Sequence, residues 1–241
     1  MMNRRIVDKL PFFGLLLISV FPLFNIKGVS ISIIILTALS LIYLFSNFKK
    51  KWNPDIRNFI ITSIPFVLYI AGLMYTKNIN YAFKVLETGL PLIIFPFIYF
   101  IILGKGYKFK SSEINKLINL LLFSSSLLIV IILSYLIITG VWKDFFNNEI
   151  FLKATQNKGG NTIRMAIEKV PFFGEHPTYL GLIATINILI SIFLIIENKN
   201  LNFIILLPIG LIGIIISGAK IAIISFLIII IILVIFKIRS K

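Results

Sequence analysis

The sequence predicts an all-α, polytopic integral membrane protein of about eight transmembrane helices. Three observations carry this. The 241-residue chain is 59% hydrophobic, against roughly 45–50% for a soluble domain, and its mean hydropathy is +1.02. Uncharged runs repeatedly reach the roughly 18–20 residues that cross about 30 Å of hydrocarbon. The 24 Lys and Arg residues, against nine Asp and Glu, collect in short segments between those runs. That is the positive-inside pattern of a membrane protein, not the continuous basic face that binds nucleic acid.

The predicted spans cover roughly 10–26, 29–46, 59–75, 83–103, 117–139, 179–196, 201–216 and 219–236. Their Ile-rich composition would favour strands in water. In lipid, with no alternation and with runs of this length, helices satisfy the backbone. The first run is followed at once by a second and has no small-residue cleavage site, so it reads as a retained span. Pro96 predicts a kink in the fourth span, because it removes a backbone N–H and crowds the preceding turn. The apolar stretch 201–236 has 36 residues, about 54 Å as one helix, nearly twice a hydrocarbon core. It must break, and Ser217-Gly218-Ala219-Lys220 is the polar, small-residue place for it.

With the N-terminus inside, 15 of the 24 Lys and Arg residues fall on inner segments and nine on outer ones. Both termini are then cytoplasmic. The whole chain, 1–241, reads as one membrane domain. Its long outer segment, about 140–178, spans close to 39 residues, more than a plain connection needs. After a turn at 158–161, Asn161 or Thr162 can cap a short helix over 162–170. Its apolar stripe of Ile163, Ala166, Ile167 and Val170 suits a helix lying on the outer leaflet, with Arg164 and Glu168 on the other side. The absence of cysteine excludes disulfides and thiolate metal sites.

Ionisable residues at membrane depth cost about 2.5–3.5 kcal/mol on insertion scales and need a reason. Lys84 and Glu87 lie three apart on one face near the outer end of span four; they form either an interfacial ion pair or the polar wall of an outward cavity. Lys220 is either a snorkelling loop lysine or a cation at a cavity mouth. The segment 170-VPFFGEHPTYLGL-182 carries the lone histidine. It is either a loop that re-enters the membrane at Pro177 or part of a site, with Glu175 and His176 as acid–base groups. One histidine makes no metal site. In the predicted topology all three places face outward. Lys84, Arg164 and Lys220 then offer cations suited to a diphosphate.

The chain resembles the O-antigen ligase and O-antigen polymerase superfamily of bacterial envelope glycosyltransferases. The segments that carry the resemblance are 75-YTKNINYAFKVLETGLPLIIFP-96, Arg164 upstream of 173-FGEHPTYLGL-182, and 216-ISGAKIAIISFL-227. The first is similar to the family's short outer loop leading into a Leu/Pro-rich span. The second is similar to its Arg followed by a Gly and an Asn-Pro or His-Pro pair. The third resembles its Ser-Arg or Ser-Lys element. The His-Pro-Thr-Tyr form resembles members of the Bacteroidetes group.

The resemblance implies transfer of a glycan from a polyprenyl diphosphate carrier, without metal or other cofactor, to a lipid A core sugar or another glycan. The reaction would take place on the outer face of the bacterial inner membrane. It implies Arg164, Lys220 and Lys84 as diphosphate-binding residues and His176 and Glu175 as catalytic candidates. Glu87, Tyr179 and Ser217 would be supporting residues, and membrane lipid the surroundings. Lys220 stands where the family commonly has Arg, which keeps the charge but loses the bidentate fork. The match covers the N-terminal part of the family pattern. The family's later outer loop, with a further histidine as the favoured base, has no counterpart. Accordingly the expectation is a truncated glycosyltransferase or one completed by a second polypeptide. The alternatives are a non-catalytic remnant, a membrane assembly subunit and, less favoured, a transporter, for which no repeat between the halves is visible.

Overall fold

The computed structural model describes residues 4–24, 26–73, 83, 86–141, 163, 166–170, 176–198 and 201–239. The regular elements among these residues are all helices, and no strand occurs among them. After a single turn at Arg4–Val7 come α1 (Leu10–Ser19), α2 (Ile26–Lys51), α3 (Ile56–Leu73) and α4 (Leu86–Gly106). They are followed by α5 (Ser111–Ile138), α6 (Pro177–Asn198), α7 (Leu206–Ser217) and α8 (Lys220–Arg239). Among the described residues, five helical stretches, in α2 to α6, are long and apolar enough to cross a membrane.

The first predicted span is corrected. The sequence predicts a span over roughly 10–26, but α1 stops at Ser19 and a 3₁₀ turn, Phe21–Leu23, follows. Pro22 sits in that turn; it cannot donate the hydrogen bond that would carry an α-helix through. Apolar composition concealed this stop because the turn residues are themselves hydrophobic.

Local chemistry sets the other boundaries. Asp55 precedes α3 and accepts from the Asn58 N–H at 3.4 Å, an acidic cap at the positive helix end. Glu113 reaches back and accepts from the Lys110 N–H at 3.0 Å, the carboxylate half of a capping box, at the start of α5. In α4, Pro96 has the consequence expected of a missing N–H, expressed as a change of hydrogen-bond register. The α-helical segment Pro91–Pro96 gives way to a π-helix over Phe97–Leu103.

The chain gathers into two compact units. The first comprises 1–18 and 29–115. Its core is Leu36 of α2 with Ile98, Ile102 and Leu103 of α4. The second comprises 19–28 and 116–241. Its core joins Leu128, Ile129, Ile132 and Leu136 of α5 to Leu180, Ala184 and Ile188 of α6 and to Ile214 and Ile216 of α7. Outside these cores, Ile60, Ile61, Val67 and Leu68 of α3, Phe193 and Ile196 of α6, and Ile215 and Leu227 of α7 and α8 are all exposed. In hydrocarbon such faces incur no penalty.

A second correction concerns the outer stripe. Ile167 is 0% exposed, and Ala166 and Val170 are also buried, within the core of the second unit, with Ile163 packed against it. The stripe therefore faces the helices of its own unit rather than the surface of a leaflet. The turn expected at 158–161 lies outside the described residues.

The second unit also holds a buried polar clamp. Asn187, near the middle of α6, donates through Nδ2 to Ser125 Oγ at 2.7 Å, Ser126 Oγ at 2.8 Å and the Leu122 carbonyl at 3.3 Å. Ser125 passes its own proton to the Leu122 carbonyl at 3.0 Å. Away from water, such bonds hold a helix pair in one register. Asn187→Leu removes the amide that all three α5 acceptors share. It is expected to lower unfolding stability by on the order of 1 kcal/mol, read as a lower thermal transition of the purified protein in mild detergent.

Candidate functional site: two helix N-termini side by side

The site is built from two helix starts. At the first, Pro177 occupies the position where a helix tolerates a missing N–H. His176 is the cap. Its carbonyl accepts from the Tyr179 N–H at 2.8 Å and the Leu180 N–H at 3.4 Å. Its Nδ1 accepts from the Thr178 N–H at 3.3 Å. With Nδ1 used as an acceptor, the neutral ring carries its proton on Nε2. Nε2 faces Glu168 Oε1 at 4.0 Å, with both side chains about half exposed. The ring meets the exposed Tyr179 edge-on, at a centroid separation of 6.3 Å.

The second start lies at the break between α7 and α8, which falls where the length of the apolar run requires it. Gly218 takes φ +55° and ψ +20°, a left-handed geometry that glycine adopts without cost, and its N–H bonds to the Ile215 carbonyl. Ser217 is fully buried, donating to the Ile214 carbonyl at 2.7 Å and accepting from the Ala219 N–H at 3.3 Å. The hydroxyl is therefore occupied in shaping the turn, and its supporting role is structural. Lys220 opens α8 with an exposed side chain.

Gly181 brings these two starts together. It lies in the second turn of α6, and a Cβ built there would stand 2.7 Å from Ala222 Cβ, 2.7 Å from Ser217 Oγ and 3.1 Å from Ala219 Cβ. Only a residue without a side chain permits that approach. One turn further, Thr185 Oγ1 bonds the Gly181 carbonyl at 2.8 Å and reaches the Ala222 carbonyl at 3.5 Å. Gly213 of α7 meets Ala184 in the same way, at 2.8 Å. Small residues thus draw α6, α7 and α8 together at the end where α6 and α8 begin.

The electrostatic consequence is direct. Each helix N-terminus carries about half a positive charge. Two of them lie side by side, and Lys220 adds a full charge at the start of one. A lysine there opposes the dipole of its own helix, so the arrangement is best satisfied by an anion. His176 Nε2–H is a further donor at the α6 start.

The structure therefore gathers His176, Tyr179, Ser217 and Lys220 in the second unit. Glu87 is exposed at the beginning of α4, in the first unit. Arg164, Lys84 and Glu175 lie outside the described residues. No cluster of three or more His, Asp or Glu side chains that could hold a metal occurs among the described residues. Sequence reasoning missed two participants. Glu168, placed in the sequence on the polar side of the short helix with Arg164, also stands 4.0 Å from His176. Gly181 was passed over, although a glycine four residues before a threonine in an apolar helix is a small-residue packing signal.

The fold defines a class: an all-helical membrane protein with several spans, in which the starts of α6 and α8 lie close together. Comparison with protein families, with curated proteins and with solved structures finds no match.

Proposed function

We propose that the chain is an envelope polysaccharide glycosyltransferase of the O-antigen ligase kind. It would take a glycan from a polyprenyl diphosphate carrier and pass it to a lipid A core or glycan acceptor on the outer face of the bacterial inner membrane. The observation that supports this reading is the juxtaposed starts of α6 and α8, with Lys220 at one and the His176 Nε2–H at the other. A diphosphate at the membrane surface is the ligand such a place suits.

In the proposed reaction the acceptor hydroxyl oxygen attacks the anomeric carbon of the carrier-linked sugar. The bond from that carbon to the diphosphate oxygen breaks, and polyprenyl diphosphate leaves with the electron pair. Lys220 and Arg164 stabilise the departing anion, in the positive field of the two helix starts, an electrostatic role. His176 donates from Nε2 to a phosphate oxygen. Glu168 is the carboxylate beside it that can take the acceptor's proton, and Glu175, adjacent in sequence to His176, is the alternative base.

A second reading is favoured by one observation. The Nδ1 of His176 is committed to accepting from the Thr178 N–H, so the imidazole has a structural, capping role. The same anion site would then bind the carrier lipid without chemistry, as an assembly subunit does. Complementation of a strain lacking the gene separates the two. Under the transferase reading, Arg164→Ala abolishes surface polysaccharide while the protein persists in the membrane. Normal polysaccharide from that variant contradicts it.

A further inference from the structure

The first unit holds a cavity of about 340 Å³ that glycan transfer does not use. Leu15 of α1, Leu36 of α2, Thr62 of α3 and Ile98, Phe100 and Leu103 of α4 contribute to its wall. The wall is apolar. Thr62 turns its hydroxyl back to the Asn58 carbonyl at 2.7 Å and presents its methyl group. A cavity without polar partners does not hold water, and left empty it forfeits the dispersion contacts of its lining. Its volume is more than twice the roughly 150 Å³ of an apolar cavity that takes up benzene. In a unit surrounded by bilayer, the available filler is a hydrocarbon chain.

One end of this unit says which chain. At the end of α4 the segment 52–55 docks on freed carbonyls. The Asp55 N–H bonds the Phe100 carbonyl at 2.7 Å, and the Trp52 indole N–H bonds the Ile101 carbonyl at 2.9 Å. The Lys105 N–H in turn bonds the Asn53 carbonyl at 2.9 Å. Trp52 is exposed here, as an amphipathic ring at headgroup depth would be. Arg57, two residues after Asp55, and Lys105, bonded through its N–H to Asn53, are both exposed, and the Asp55 carboxylate lies 4.0 Å from Lys105. Thr62 lies six residues along α3 from Ile56, roughly 9 Å of helix rise. A headgroup at this rim therefore has the cavity within reach of its own acyl chain.

We propose that the first unit binds one anionic phospholipid, with a chain in this cavity and its phosphate at Arg57 and Lys105. This stands independently of glycan transfer. The test uses the purified full chain in mild detergent, with phosphatidylglycerol or phosphatidylcholine of identical chains added and the bound lipid counted by native mass spectrometry. The wild type retains one phosphatidylglycerol and prefers it over phosphatidylcholine by roughly tenfold, as two nearby cations allow. The double variant Arg57→Ala, Lys105→Ala loses that preference. Ile98→Phe fills the cavity and lowers retention of phosphatidylglycerol by about tenfold or more, because buried methylenes are lost. Thr62→Phe, on the outer wall, does the same should Ile98→Phe lower the thermal transition. Wild-type retention of phosphatidylglycerol in both filling variants, or equal retention of the two lipids by the wild type, overturns the proposal.

Discussion

Gly181→Leu is expected to abolish surface polysaccharide in the complementation assay and to lower the thermal transition of the purified protein. The reason is geometric. A Cβ at this position already meets Ser217 Oγ and Ala222 Cβ at 2.7 Å, closer than real side-chain contacts come. Ser217 is fully buried and shapes the turn before α8, so it has little freedom to move aside. Overpacking of this kind costs about 1–3 kcal/mol. Its effect on function exceeds its effect on stability, because the strain is relieved by parting the two helix starts that form the anion site. Gly181→Ala is expected to act in the same direction, more weakly. Ile186→Ala on the exposed side of α6 is expected to leave polysaccharide unchanged, and a loss there equal to that of Gly181→Leu would remove the special role of the contact.

The second large effect is expected at Lys220, and there stability and function move apart. Lys220→Glu places a carboxylate at the start of α8, where the helix dipole favours it by about 0.3–1 kcal/mol. The thermal transition is therefore unchanged or raised. The same substitution turns the anion site against its ligand, and polysaccharide is lost. Lys220→Arg keeps the charge, adds a planar fork able to bind phosphate bidentately, and retains function. A Lys220→Glu protein that still supports normal polysaccharide would leave Lys220 as a surface lysine with no part in the site.

How much of this was legible in the sequence differs from element to element. The break at Ser217–Lys220 was, because an apolar run longer than a bilayer has to end and one stretch alone offered small and polar residues. The start of α6 was legible from Pro177. Pro96 announced a disturbance in α4 but not its form, since whether a lost N–H yields a kink or a π-helix depends on what packs around it. The stop after Ser19 was hidden by hydrophobic turn residues. The apolar character of Ile163, Ala166, Ile167 and Val170 was legible as a set, though the helix ends at Glu168 and Val170 lies in the turn beyond it. Periodicity reports that a face is apolar, however, not whether lipid or protein covers it.

The site was less legible than the fold because its contacts are distant in sequence. Gly181 meets residues on α8, and Asn187 meets serines on α5. Neither pairing has a local signature.

The central claim is that the starts of α6 and α8 bind the diphosphate of a carrier lipid. The measurement that tests it most directly is the binding of polyprenyl diphosphate, and of the uncharged polyprenol of the same length, to the full chain in lipid nanodiscs, for the wild type and for Lys220→Glu. The account predicts that the wild type binds the diphosphate at least about tenfold more tightly than the alcohol, as charge-assisted hydrogen bonds of about 1.5–3 kcal/mol each require, and that Lys220→Glu binds the two alike. Equal binding of diphosphate and alcohol by the wild type, or an undiminished preference in Lys220→Glu, would contradict it.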